Sequence, residues 1–109
     1  MRASDRFPVD GVTCALDDQA MRVTNLSLLG LFAATDRPPL KGQVVSLALS
    51  LPGRGAFPVV GAVSWINSRE QPRAPELPPG FGVRFTRMPL AAKVAILDLL
   101  KRSADSGAR

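Results

Sequence analysis

Hydrophobic residues recur at every second position through most of this chain and then, from Pro89 onward, at every third or fourth. A period of two belongs to a strand with one buried face, and a period near 3.6 to an amphipathic helix. "VTCAL" (12–16) turns Val12, Cys14 and Leu16 to one side, and Asp17-Asp18-Gln19 reads as a polar turn. A second run, Met21 to Leu26, leads into "NLSLLG"; "LFAAT" (31–35) then ends at the loop "DRPPLKG". "VVSLALSL" places Val45, Leu47, Leu49 and Leu51 on one face, with Ser46 and Ser50 on the other. After the turn "PGRG", "VVGAVSWI" groups Val59, Val63 and Trp65, and "FGVRFT" aligns Phe81, Val83 and Phe85.

Between those last two strands lies "NSREQPRAPELPPG", with four Pro in fourteen residues. Such a segment cannot pair as a central strand and reads as an exposed, partly extended loop. In "PLAAKVAILDLLKR" the spacing of Leu90, Val94 and Leu97 by four and three, with Ile96 and Leu100 close by, predicts a helix over about 89–102. Pro89 suits its first turn, and Lys101 and Arg102 suit its C-terminal dipole. Residues 1–8 read as a flexible arm, 9–102 as one domain and 103–109 as a frayed tail. Five or six short strands and a closing helix make a mainly all-β fold, a small antiparallel barrel or sandwich. The barrel is favoured, because 109 residues leave few ways to hide sheet edges.

Composition narrows the chemistry. With no His, no Tyr and one Cys, metal sites and nucleophile–base pairs have almost no raw material, and neither a G-x-x-x-x-G-K-[ST] nor a helix-opening G-x-G-x-x-G is present. The expectation is a non-enzyme with no cofactor. No apolar run reaches the length of a membrane span, "MRASDRFPVD" has no signal-peptide core, and the lone Cys14 suits a reducing compartment, so a cytoplasmic setting is expected. The formal charge is +5, carried by eleven Arg and three Lys. Arg presents a flat, permanently charged fork that grips phosphate or a guanine edge through two parallel hydrogen bonds, which Lys cannot do.

Two clusters carry binding potential. Arg2 and Arg6 stand four apart in "MRASDR", ahead of the first strand; taken alone they read as a solvated basic end. In "NLSLLG", Asn25 and Ser27 lie one pleat apart in an extended chain, so an amide and a hydroxyl are expected side by side on one face. Gly30 permits a bulge, a positive φ or a close backbone approach. Taken alone, this is a strand edge with polar residues facing water.

Together, "RASDR" and "NLSLLG" resemble the R-x-x-x-R and [DN]-x-S-x-x-G signature of the bacterial PilZ domain, a receptor module for cyclic di-GMP. "GLFAATDRPPLKGQVVSLALSLP", "VVGAVSWI", "GFGVRF" and the final helix are similar to that family's pattern, in order, over nearly the whole chain. The resemblance implies a six-stranded antiparallel barrel with one C-terminal helix. It implies that Arg2 and Arg6 grip guanine edges and phosphates while Asn25 and Ser27 hydrogen-bond the ligand and Gly30 leaves room for it. Members that bind an intercalated ligand pair carry a further Arg just before the motif; Met1 stands there, so one ligand per site is expected. With no output domain in the chain, the signal is expected to pass by ordering the arm over the barrel and contacting an effector protein in motility or biofilm regulation. A rival reading keeps the fold without the ligand, as an adaptor in a motility, secretion or envelope assembly. Binding of DNA or RNA is not expected, because Phe81 and Phe85 alternate with Val83 as a core row does and leave no aromatic platform. Trp65 reads as core or rim packing and Cys14 as a small buried apolar group.

Overall fold

The computed structural model describes residues 7–107. Seven strands precede one helix: β1 (Phe7–Pro8), β2 (Thr13–Leu16), β3 (Gln19–Leu26), β4 (Gly30–Ala34), β5 (Val44–Leu51), β6 (Gly55–Asn67), β7 (Gly80–Arg87) and α1 (Leu90–Gly107). All pairings are antiparallel, in the order β1-β3-β2-β5-β6-β7-β4, and β4 pairs back onto β3. Strands β2 to β7 thus form a closed six-stranded barrel, which satisfies every long edge. The two-residue β1 lies outside that ring. It continues the β2 side of β3, with Phe7 opposite Leu26 and Pro8 opposite Asn25.

Closure puts the period-two residues inside. Val12, Cys14, Met21, Val23, Val45, Leu47, Leu49, Leu51, Val59, Val63, Phe81 and Val83 make one buried cluster, as their alternation implies, and Leu26 joins them out of register. Phe85 is half-buried and packs against it, so the Phe81–Val83–Phe85 row does face the core. Burial pushes the Cys14 thiol up to about 12. At neutral pH it is a packing group.

The helix departs from expectation twice. Leu90, Val94 and Leu97 point away from the barrel, 74%, 53% and 51% exposed, while Ala92, Ala95 and Ile96 enter the core with Leu99 and Leu100 packed beside them. Both stripes have helical spacing. The small Ala92 and Ala95 let the helix sit close to the barrel, and shape outweighs the greater apolar area of the other stripe. The helix also continues through 103–107, where a frayed tail was expected, so Lys101 and Arg102 are not in its last turn. "SADSG" contains no Pro, and Gly107 is the first residue after Arg102 with a strong tendency to end a helix.

The Pro-rich loop is exposed along much of its length but tied down at its root. Asn67, 1% exposed, donates from Nδ2 to the carbonyls of Ala74 (3.1 Å), Leu77 (3.3 Å) and Pro78 (3.0 Å). Its Oδ1 accepts from the Ala74 N–H at 2.9 Å. One side chain takes over the bonding that prolines deny the backbone.

Candidate functional site

The site is built where β3 leaves the barrel wall. Met21 and Val23 point inward, so strict alternation would send Asn25 inward and Leu26 out to water. A β-bulge prevents this. Val23 pairs with Ala33 and Asn25 with Phe32, leaving Thr24 as the extra residue. The inserted residue restores the pattern on the far side: Leu26 enters the core with no exposed surface and Asn25 turns to the outer face.

Asn25 heads a row that crosses four strands. Directly paired residues share a face, and Asn25 pairs with Phe32, Phe32 with Gly82, and Gly82 with Trp65. Phe32, between the inward Leu31 and Ala33, is nevertheless fully buried, because Trp65 covers it with ring centres 5.2 Å apart. Trp65 can lie there only because Gly82 lacks a side chain; a Cβ would come within 2.1 Å of Trp65 Nε1. The Arg73 guanidinium sits 5.7 Å from the Trp65 ring centre and caps the stack. Trp65 therefore packs the barrel rim, as expected, but on the outer face and not beside the inward Val59 and Val63, because a bulge between Val63 and Trp65 shifts the register. Arg84 is the cross-strand partner of Gly30 and is exposed on the same outer face.

Ser27 does not share Asn25's surface. The expected amide–hydroxyl strip is corrected here: Ser27 lies just past the end of β3, 1% exposed. Its hydroxyl oxygen accepts from the N–H groups of Leu29 (3.0 Å) and Gly30 (3.2 Å), and its own N–H donates to the Gly30 carbonyl at 2.9 Å. Ser27 clamps the β3–β4 turn, using the short hydroxyl as a substitute for a backbone acceptor. Pleat geometry failed because the strand ends one residue earlier. Gly30 opens β4 without a positive φ, and the bulge is at Thr24 rather than at Gly30.

Asn25 contrasts with these satisfied groups. Its Oδ1 and the Thr24 Oγ1 are both buried from water and have no hydrogen-bond partner among the described residues. Thr24 was not singled out in the sequence, and nothing in a single β-branched polar residue on a strand marks a bulge. Arg2 and Arg6 lie outside the described residues. The arm is followed up to Phe7, where it is hydrogen-bonded into the sheet beside Asn25 and Leu26. The Val9 N–H extends this contact to the Thr24 carbonyl at 3.2 Å.

Among the described residues, no helix is long and apolar enough to cross a membrane. No curated protein and no solved structure matches the chain. A family model, the PilZ domain, matches residues 2–102. PilZ domains are non-catalytic binding domains and constitute a receptor family for cyclic di-GMP. A match spanning nearly the full length, on a closed six-stranded barrel with one C-terminal helix, establishes that this chain belongs to the PilZ domain family.

Proposed function

We propose that this protein is a cyclic di-GMP receptor whose ligand lies on the outer barrel face beside Asn25, held there by Arg2 and Arg6 of the arm. The observation that carries this reading is the pairing of Phe7 with Leu26 and Pro8 with Asn25. Arg6 is bonded to Phe7, so its Cα is about 3.8 Å from a residue already seated on the motif strand. An Arg side chain from there reaches a ligand lying over Asn25. Arg2 adds the second cation of R-x-x-x-R. Guanidinium forks suit the phosphates by charge and the guanine edges by bidentate hydrogen bonds.

The Oδ1 of Asn25, with no partner among the described residues, supports the same location, since buried acceptors are normally satisfied. Ser27 and Gly30 then serve the ligand through the turn they build, keeping the backbone low beside it. Binding orders the arm. Fixing each residue costs roughly 1–2 kcal/mol, and charge-assisted bonds at about 1.5–3 kcal/mol each offset that only if several form together. The ordered arm then presents a new surface to an effector protein, with no chemistry performed on the ligand. Calorimetric titration of cyclic di-GMP into the wild type, Arg6→Ala and Asn25→Ala tests this. Binding that is lost in Arg6→Ala supports the receptor; no binding to the wild type, repeated by a second method, would make a ligand-independent adaptor the better reading. Limited proteolysis tests the arm, and equal cutting with and without ligand would reject its ordering.

A further inference from the structure

The outward stripe of α1 leads into a groove formed partly by the Ser27 turn. Leu90, Val94 and Leu97 lie on one face at helical spacing, and Lys101 continues the stripe one turn on. Lys93, on its border, also lines a groove of about 420 Å³ between the helix start, the end of β7 and the β3–β4 turn. Its lining mixes apolar Leu28, Leu29, Phe85 and Met88 with polar Thr86 and the two cations Arg87 and Lys93. Leu28 and Leu29 are the two residues held between Ser27 and Gly30, and the Leu29 carbonyl accepts the Phe85 N–H at 2.7 Å. Leu29 is itself 51% exposed.

We propose that this groove and stripe form one docking surface for an acidic amphipathic segment of a partner protein. The charge pattern selects that chemistry. The exposed apolar residues Leu29, Leu90, Val94 and Leu97 are accompanied by the cations Arg87, Lys93 and Lys101, and Asp98, the single acidic residue in 90–102, is already paired with Arg54 and Arg102. A partner segment with a leucine-type stripe and flanking carboxylates covers the apolar surface and pairs the cations at once. A second copy of this chain would bring the same cations face to face. A flat lipid surface would cover the helix stripe but leave the concave groove unfilled. The surface stands independently of cyclic di-GMP binding, and its test uses none.

The probe is a designed helical peptide with a leucine stripe flanked by glutamates, titrated into the isotope-labelled full chain and compared with a lysine-flanked twin. The glutamate peptide is expected to shift the backbone resonances of Leu28, Leu29, Lys93, Val94 and Leu97, to weaken with salt, and to bind more tightly than its twin. Lys93→Glu with Lys101→Glu should weaken it by about tenfold and reverse the preference between the peptides. Leu90→Ser with Leu97→Ser, whose sites are already exposed and whose spectrum should remain that of the folded barrel, should abolish binding of both. Equal affinity for the two peptides, shifts confined to other surfaces, binding only to anionic phosphatidylglycerol vesicles, or a concentration-dependent dimer through α1 would each overturn the proposal.

Discussion

Asn25 on β3 and Asn67 at the end of β6 lie on different strands of the same barrel and do opposite jobs. Asn67 is buried with both ends of its amide engaged, three carbonyls on Nδ2 and one N–H on Oδ1. Asn25 is half-buried, and its Oδ1 has no partner among the described residues. A buried amide that is fully bonded holds the fold together, because removing it strands the groups it served. One left with an open acceptor adds little to the fold and keeps its bonding capacity for something else. Residue type alone does not separate the two roles; the surroundings do.

The largest effect is expected at Asn67. Asn67→Ala removes four hydrogen bonds at the root of the Pro-rich loop and should cost roughly 2–3 kcal/mol in urea denaturation, with ligand affinity preserved in the folded fraction. A loss below about 0.5 kcal/mol, the usual range for a surface change, would break the contrast. Next comes Gly82→Ala, which forces Trp65 off its seat over Phe32; a loss of about 1–3 kcal/mol and a shifted Trp65 fluorescence spectrum are expected. Ser27→Ala should cost about 1–2 kcal/mol and weaken ligand binding in the same variant, because the proposed site lies beside the turn that Ser27 clamps. Were binding to fall with stability unchanged, Ser27 would be a ligand contact rather than a clamp.

Asn25→Ala sharpens the comparison from the other side. Stability should stay within about 0.5 kcal/mol of wild type, while cyclic di-GMP affinity drops by roughly tenfold. The smallest signal at neutral pH is that of Cys14. Its thiol keeps its proton to about 12 in the folded chain, against 9.0 for an unperturbed one. Thus it should ignore thiol reagents near pH 8 and add no pH dependence there. Above about pH 9 the unfolded chain releases the proton first, so stability should fall as pH climbs toward 12. Rapid labelling of the native protein at neutral pH would contradict the burial.

The strands were legible because a period of two leaves a visible trace: Val45, Leu47, Leu49 and Leu51 are buried in the register their spacing implies. The motif "NLSLLG" was also legible as a unit, but its internal geometry was not. Whether Asn25 faces in or out depends on a single extra residue at Thr24, and a bulge is a property of two paired strands rather than of one. Ser27 was placed on a pleat that ends at Leu26. The helix was legible and its buried side was not, since α1 carries two apolar stripes and both repeat at 3.6.

By itself, then, the sequence determined the things that depend on local pattern: a strand-rich chain, one terminal helix, the position of an exposed Pro-rich loop, and a pair of motifs that resemble the family signature. Tertiary structure decided the things that depend on who stands opposite. It turned Asn25 outward through a bulge, drew Ser27 inward to clamp a turn, and seated the arm at Phe7 beside the motif strand. It also chose the small Ala92–Ala95 face of α1 for the core and left Leu90, Val94 and Leu97 in water. Periodicity states how often a side chain returns to one side; only packing against a partner surface settles which side is filled.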